Sequence, residues 1–141
     1  MLTRNAHPLN VPGDFYVENE CCTMCAIPFT EAPTLFGTTT EESHCFVKRQ
    51  PSTEVELDQM VNAIHCAELN CIRYGGSDRA IQIRLIQLPA GSICDALPPD
   101  LQDLSASLEQ QALKQWQAKV KNERIDQSWW RQLLRLVRRG A

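Results

Sequence analysis

Long apolar runs, a signal-like start and nucleotide-binding motifs are what this chain lacks. No stretch of 18 apolar residues occurs in its 141, and mean hydropathy is −0.30, so a membrane span is not expected. The opening Met1-Leu2-Thr3-Arg4-Asn5-Ala6-His7-Pro8 has no apolar core of the secretory kind, which makes a cytoplasmic protein the default expectation. There is no Gly-x-Gly-x-x-Gly, Walker loop, Gly-x-Ser-x-Gly or His-Glu-x-x-His, so neither a nucleotide enzyme nor a hydrolase has support, and the expectation is a protein that is not an enzyme. Internal repeats and low-complexity runs are missing too.

What remains is ordinary for a globular chain, with 43% apolar and 22% charged residues, enough for one domain and an extension. Net charge is −3, unevenly spread: residues 98–141 carry eight Lys/Arg against five Asp/Glu, leaving six basic and twelve acidic residues before them. An acidic body with a basic tail argues against a broad nucleic-acid face. Seven cysteines stand out, and without an export signal they favour thiols or metal ligands over a disulfide framework.

Three of the seven fall in Glu20-Cys21-Cys22-Thr23-Met24-Cys25. A Cys-x-x-Cys pair brings two thiolates to one metal across a tight turn, and the Ala-Pro-x-Leu-Phe that follows predicts a short apolar helix. The strand formers of 14–18 lead into this turn, and 37–40 and 45–48 predict a second and a third strand about the turn at Glu41-Glu42-Ser43. Thr53-Glu54-Val55-Glu56 is a capping box, and Leu57, Met60, Val61 and Ile64 recur at helical spacing, so a helix is expected over 54–67. Residues 71–74 predict a fourth strand. Ser77-Asp78 caps a third helix through Ile81, Leu85 and Leu88, ended by Pro89-Ala90-Gly91.

This order is the α+β, ferredoxin-like split βαβ arrangement with two helices on one face, over residues 8–88. In it strands three and four are both antiparallel neighbours of strand one, so Cys45, Cys66 and Cys71 are expected near the Cys21-to-Cys25 turn. After Pro98-Pro99, residues 98–141 predict a helical C-terminal extension. Leu104, Leu108, Leu113, Trp116 and Val120 keep helical spacing there, and so do Trp130, Leu133, Leu134 and Val137, beside Trp129, Arg131, Arg135, Arg138 and Arg139.

Cys22-x-x-Cys25 followed by Glu-Ala-Pro-Thr-Leu-Phe resembles the cluster-binding segment of small single-cluster bacterial ferredoxins, over roughly residues 8–88. Arg73-Tyr74-Gly75-Gly76 and Val47-Lys48-Arg49-Gln50-Pro51 look like further signature segments of that family. In the aligned pattern Pro28 stands at the third cysteine and Ala67 where proline follows the distant one, Cys66. The resemblance implies an electron carrier with one iron–sulfur cluster (4Fe-4S or 3Fe-4S) and a protein redox partner. Its ligands would be Cys22, Cys25, Cys66 and one of Cys45 or Cys71. Cys21 is expected to face away, and Cys94 to be a core or free thiol. His44 and His65 are weaker ligand candidates, expected at the surface or hydrogen bonded. The alternative is a ferredoxin-fold interaction protein without a cluster, or stapled by zinc, that binds a partner through its basic helical tail.

Overall fold

The computed structural model describes residues 5–41, 43–87 and 93–139, and in the last helix the side chains to Glu123 together with Arg131. The chain is α+β, in the order β1 (Phe15–Val17), α1 (Ile27–Glu31), β2 (Phe36–Thr39), β3 (His44–Val47), α2 (Glu54–Cys66), β4 (Ile72–Tyr74), α3 (Arg79–Ile86) and α4 (Pro99–Arg139). Two compact units divide it, residues 1–105 and residues 106–141. The expected helix terminator Pro89-Ala90-Gly91 and Leu88 before it lie outside the described residues, as do Glu42 and the side chains of Trp129, Trp130, Leu133, Leu134, Val137, Arg135, Arg138 and Arg139.

Local chemistry accounts for the helices. Thr53 caps α2 by accepting from the Glu56 N–H at 3.2 Å, while the Glu56 carboxylate turns back to take the Ser52 N–H at 2.8 Å and pairs with Arg49. The α2 stripe then buries Met60, Val61 and Ile64. Asp78 caps α3 through the N–H groups of Ala80 and Ile81. The first helix begins earlier than Ala-Pro-x-Leu-Phe suggested: Pro28 sits in its first turn, where the missing N–H costs nothing, and Pro33 drives Ala32 out of the helical region. Residues 32–35 form a turn instead, and Phe36 opens β2.

The four strands form two antiparallel pairs. β1 pairs β4 with Val17 opposite Ile72, and β2 pairs β3 with Thr38 opposite Cys45. β1 lies beside β3, as a split βαβ order requires, but no backbone ladder joins them. Two side-chain amides occupy the seam. Asn10 accepts from the N–H groups of Val17 (3.1 Å) and Val47 (2.9 Å) and donates to Val17 O (2.8 Å). Gln50 closes on both backbone groups of Phe15 at 3.1 and 2.8 Å. A continuous four-stranded sheet, as expected from the strand order, is therefore replaced by two ribbons stitched by amides that satisfy the same buried donors and acceptors.

Beside β4 the chain returns as Ile93–Asp95, with Tyr74 N donating to Ile93 O and Asp95 N to Tyr74 O. Cys94 is thereby buried in the core as a free thiol. Arg73, only 4% exposed, is held by Asp95 at 3.0 Å, and Tyr16 donates to the other Asp95 oxygen at 2.7 Å. Burial first, and then Asp95, push the Tyr16 phenol up to about 12. A Cβ on Gly76 would meet the Tyr74 hydroxyl at 2.4 Å, so the 73–76 segment has a packing role.

Candidate functional site

The β1–β4 register decides where the cysteines meet. Glu18 N donates to Cys71 O at 2.8 Å, so the chain leaving β1 runs past the start of β4, and Cys21 comes within 5.5 Å of Cys71, Cα to Cα. The two are joined as a disulfide. Cys21, expected to face away, is thus bonded, and Cys71 is not a thiolate donor in this form.

From Cys22 the turn folds inward over β3. Met24 and Ala26 take positive φ angles of 56° and 64°, which lets the chain double back. Cys22 Sγ lies 3.0 Å from Cys45 Sγ, and it accepts from Cys45 N (3.3 Å) and Met24 N (3.4 Å). Cys45 is 3% exposed. Burial, then its contact with the Cys22 thiol, raises its pKa strongly and keeps it a neutral thiol. Burial likewise pushes the Cys94 thiol up to about 11.

Cys22, Cys25, Cys45 and Cys71 together line one recess of about 20 Å³, walled by Pro28, Phe29, Ala67, Leu69 and Ile72. Four of the five candidate ligands therefore line one recess, including both alternatives for the fourth place, Cys45 and Cys71. Cys66, expected as a ligand alongside Cys22 and Cys25, is exposed and does not line it. It is the last residue of α2 and lies two positions after the buried Ile64, about 200° round the helix, so it points off the packed stripe. Ala67, one step on, reaches the recess instead. Pro28, at the position of the family's third cysteine, also reaches it and contributes only apolar wall.

Neither histidine joins the site. His44 is buried, stacked on His7 with ring centroids 4.3 Å apart, and its Nδ1 lies 2.6 Å from Cys45 O. His65 is half-buried, and burial lowers its pKa.

The residues present do not fit an iron–sulfur cluster. A recess of about 20 Å³ holds about one water-sized sphere, while a cubane has eight heavy atoms, and one of the four sulfurs is locked in a disulfide. Among the described residues no group of three or more His, Cys, Asp or Glu is arranged to hold a metal ion. Nor is any helix there long and apolar enough to cross a membrane.

A second feature lies on the helical tail that the alternative reading assigned to partner binding. In the unit formed by residues 106–141, Leu113 is 53% and Trp116 62% exposed, one helical turn apart. Comparison with protein-family models, curated proteins and solved structures finds no significant match to this chain, so the ferredoxin resemblance rests on the residues quoted for it.

Proposed function

We propose that the protein is a ferredoxin-like interaction protein without an iron–sulfur cluster, which holds a partner of acidic surface through the helix beyond Ser105. The observation that carries this reading is the Leu113–Trp116 face, continued by the half-buried Val120 and flanked by the exposed Lys114, Lys119 and Lys121. A helix whose apolar stripe is left in water gains stability when a second surface covers it. Trp is the residue type most enriched where truncation costs most binding, and a basic rim selects an acidic partner.

The test is affinity purification of the full chain from its native cells. A stoichiometric partner should remain with Cys22→Ser and bind at least about 10-fold more weakly with Trp116→Ala, a loss of about 1.4 kcal/mol or more. Raising salt should weaken it as well. Equal retention by Leu113→Ala and Trp116→Ala would contradict the reading.

The gathering of Cys22, Cys25, Cys45 and Cys71 favours a second reading, the electron carrier. It requires the disulfide to open and the recess to widen around a cluster. Stoichiometric iron and acid-labile sulfide in anaerobically purified protein would support it.

A further inference from the structure

We propose that Cys22 and Cys45 form a thiol–disulfide exchange site, which takes a soluble disulfide as its substrate and closes to a bond across the seam between β1 and β3. The inference is independent of partner binding by α4.

The geometry singles out this pair. Cys22 Sγ and Cys45 Sγ are 3.0 Å apart and both are free thiols, whereas a disulfide needs about 2.05 Å, so an approach of about 1 Å makes the bond. Cys45 N donates to Cys22 Sγ at 3.3 Å and Met24 N does so at 3.4 Å, which holds that sulfur against β3. The two thiols differ in access: Cys22 is partly exposed, and Cys45 is 3% exposed. A reagent in solution therefore meets Cys22 first, and Cys45 is the thiol that resolves the adduct. Their places in the chain give the bond an effect that Cys21–Cys71 does not have. Cys21 and Cys71 join the exit of β1 to the entry of β4, two strands already paired in one ribbon. Cys22 follows β1, but Cys45 lies on β3, in the other ribbon, opposite Thr38. No backbone ladder joins β1 to β3, and Asn10 and Gln50 carry that seam through side-chain amides. A Cys22–Cys45 bond, at a sequence separation of 23, adds a covalent tie between the two ribbons.

The exchange balances in two steps. Cys22 gives its proton to solvent, and its sulfur attacks one sulfur of the substrate disulfide, forming a mixed disulfide and releasing one substrate thiolate. Cys45 then gives up its proton and its sulfur attacks Cys22 Sγ, so the mixed bond breaks, the second substrate thiolate leaves and the protein disulfide remains. The two protons end on the two released thiolates. Two electrons pass from the Cys22–Cys45 pair to the substrate, and excess thiol runs the same steps backwards to reopen the seam.

The experiment uses the full chain with Cys21–Cys71 closed, incubated anaerobically with oxidised glutathione, quenched with acid at intervals, alkylated and mapped by peptide mass spectrometry. Wild type should first carry glutathione on Cys22 and then lose it as the Cys22–Cys45 peptide pair appears, with two glutathione thiols released for each bond formed. Cys45→Ser should stop at the Cys22 adduct, and Cys22→Ser should lose the reaction at Cys45. Cys66→Ser removes the exposed thiol outside the recess and should leave the Cys22–Cys45 bond unchanged. A readout needing no variant is the same incubation of wild type unfolded in urea, where the preference for Cys22–Cys45 should be lost, because it comes from the folded approach of the two sulfurs. A Cys22–Cys25 bond in its place, a Cys22 adduct that wild type never resolves, or the same pairing in urea would overturn the proposal.

Discussion

Cutting the Cys21–Cys71 bond is the perturbation with the largest effect that the structure allows one to work out. The bridge spans a sequence separation of 50, which encloses most of the elements of residues 1–105. Closing a loop of that length removes about 14 cal/mol/K of chain entropy from the unfolded state, about 4 kcal/mol at 25 °C on the chain-entropy model. For a unit of about 100 residues, each kcal/mol moves the melting temperature by roughly 4 °C or more, so the expected fall is about 15 °C. The assay is thermal unfolding followed by circular dichroism, for oxidised, reduced and Cys71→Ser protein, all metal-free. Reduction and substitution should lower the midpoint by similar amounts, and reduction should have no further effect on Cys71→Ser. A midpoint that ignores the reductant while iodoacetamide shows Cys21 and Cys71 opened would refute the reasoning, because the linkage would then constrain nothing.

Three further outcomes follow from single contacts. Asp95→Ala leaves Arg73 buried without its carboxylate and should cost about 3–5 kcal/mol in urea unfolding, with Tyr16→Phe costing far less. Asn10→Ala strips a partner from the N–H groups of both Val17 and Val47 and should cost about 2–4 kcal/mol, read as loss of amide-exchange protection along the β1–β3 seam. The hydrogen bond from Arg49, and then those from Ser52, hold the Glu56 carboxyl down to about 2, below the ordinary 4.5. A depressed folded value means that its contribution is complete above about 4.5 and is lost as pH falls toward about 2, so Glu56→Gln should flatten that part of the urea midpoint against pH.

The helices were legible because their signals are local. Thr53 and Glu56 mark a start, and the Leu57, Met60, Val61 and Ile64 stripe marks a face. The same stripe also carried information about Cys66, since a residue about 200° from Ile64 cannot share its side of the helix. The expectation for Cys66 followed its position in the chain, whereas its angle round the helix leaves it exposed and off the recess. Cys21 needed the β1–β4 register to within one residue, and strand boundaries read from composition do not reach that accuracy. The amide seam had no sequence signal at all. Asn10 and Gln50 lie in irregular segments, where polar residues are ordinary, and only the tertiary approach of β1 and β3 makes them substitutes for a strand ladder. The early start of α1 was readable from Pro28 and Pro33, whose opposite effects on helix entry and continuation outweigh the apolar spacing of Leu35 and Phe36.

The most direct test of the cluster-free account is purification of the full chain under strict anaerobiosis, with iron, acid-labile sulfide and zinc measured together. The account predicts a colourless protein without labile sulfide, whose iron does not rise above background. A brown protein with stoichiometric iron and sulfide, lost on Cys22→Ser or Cys25→Ser, would contradict it and return the cysteine corner to electron transfer.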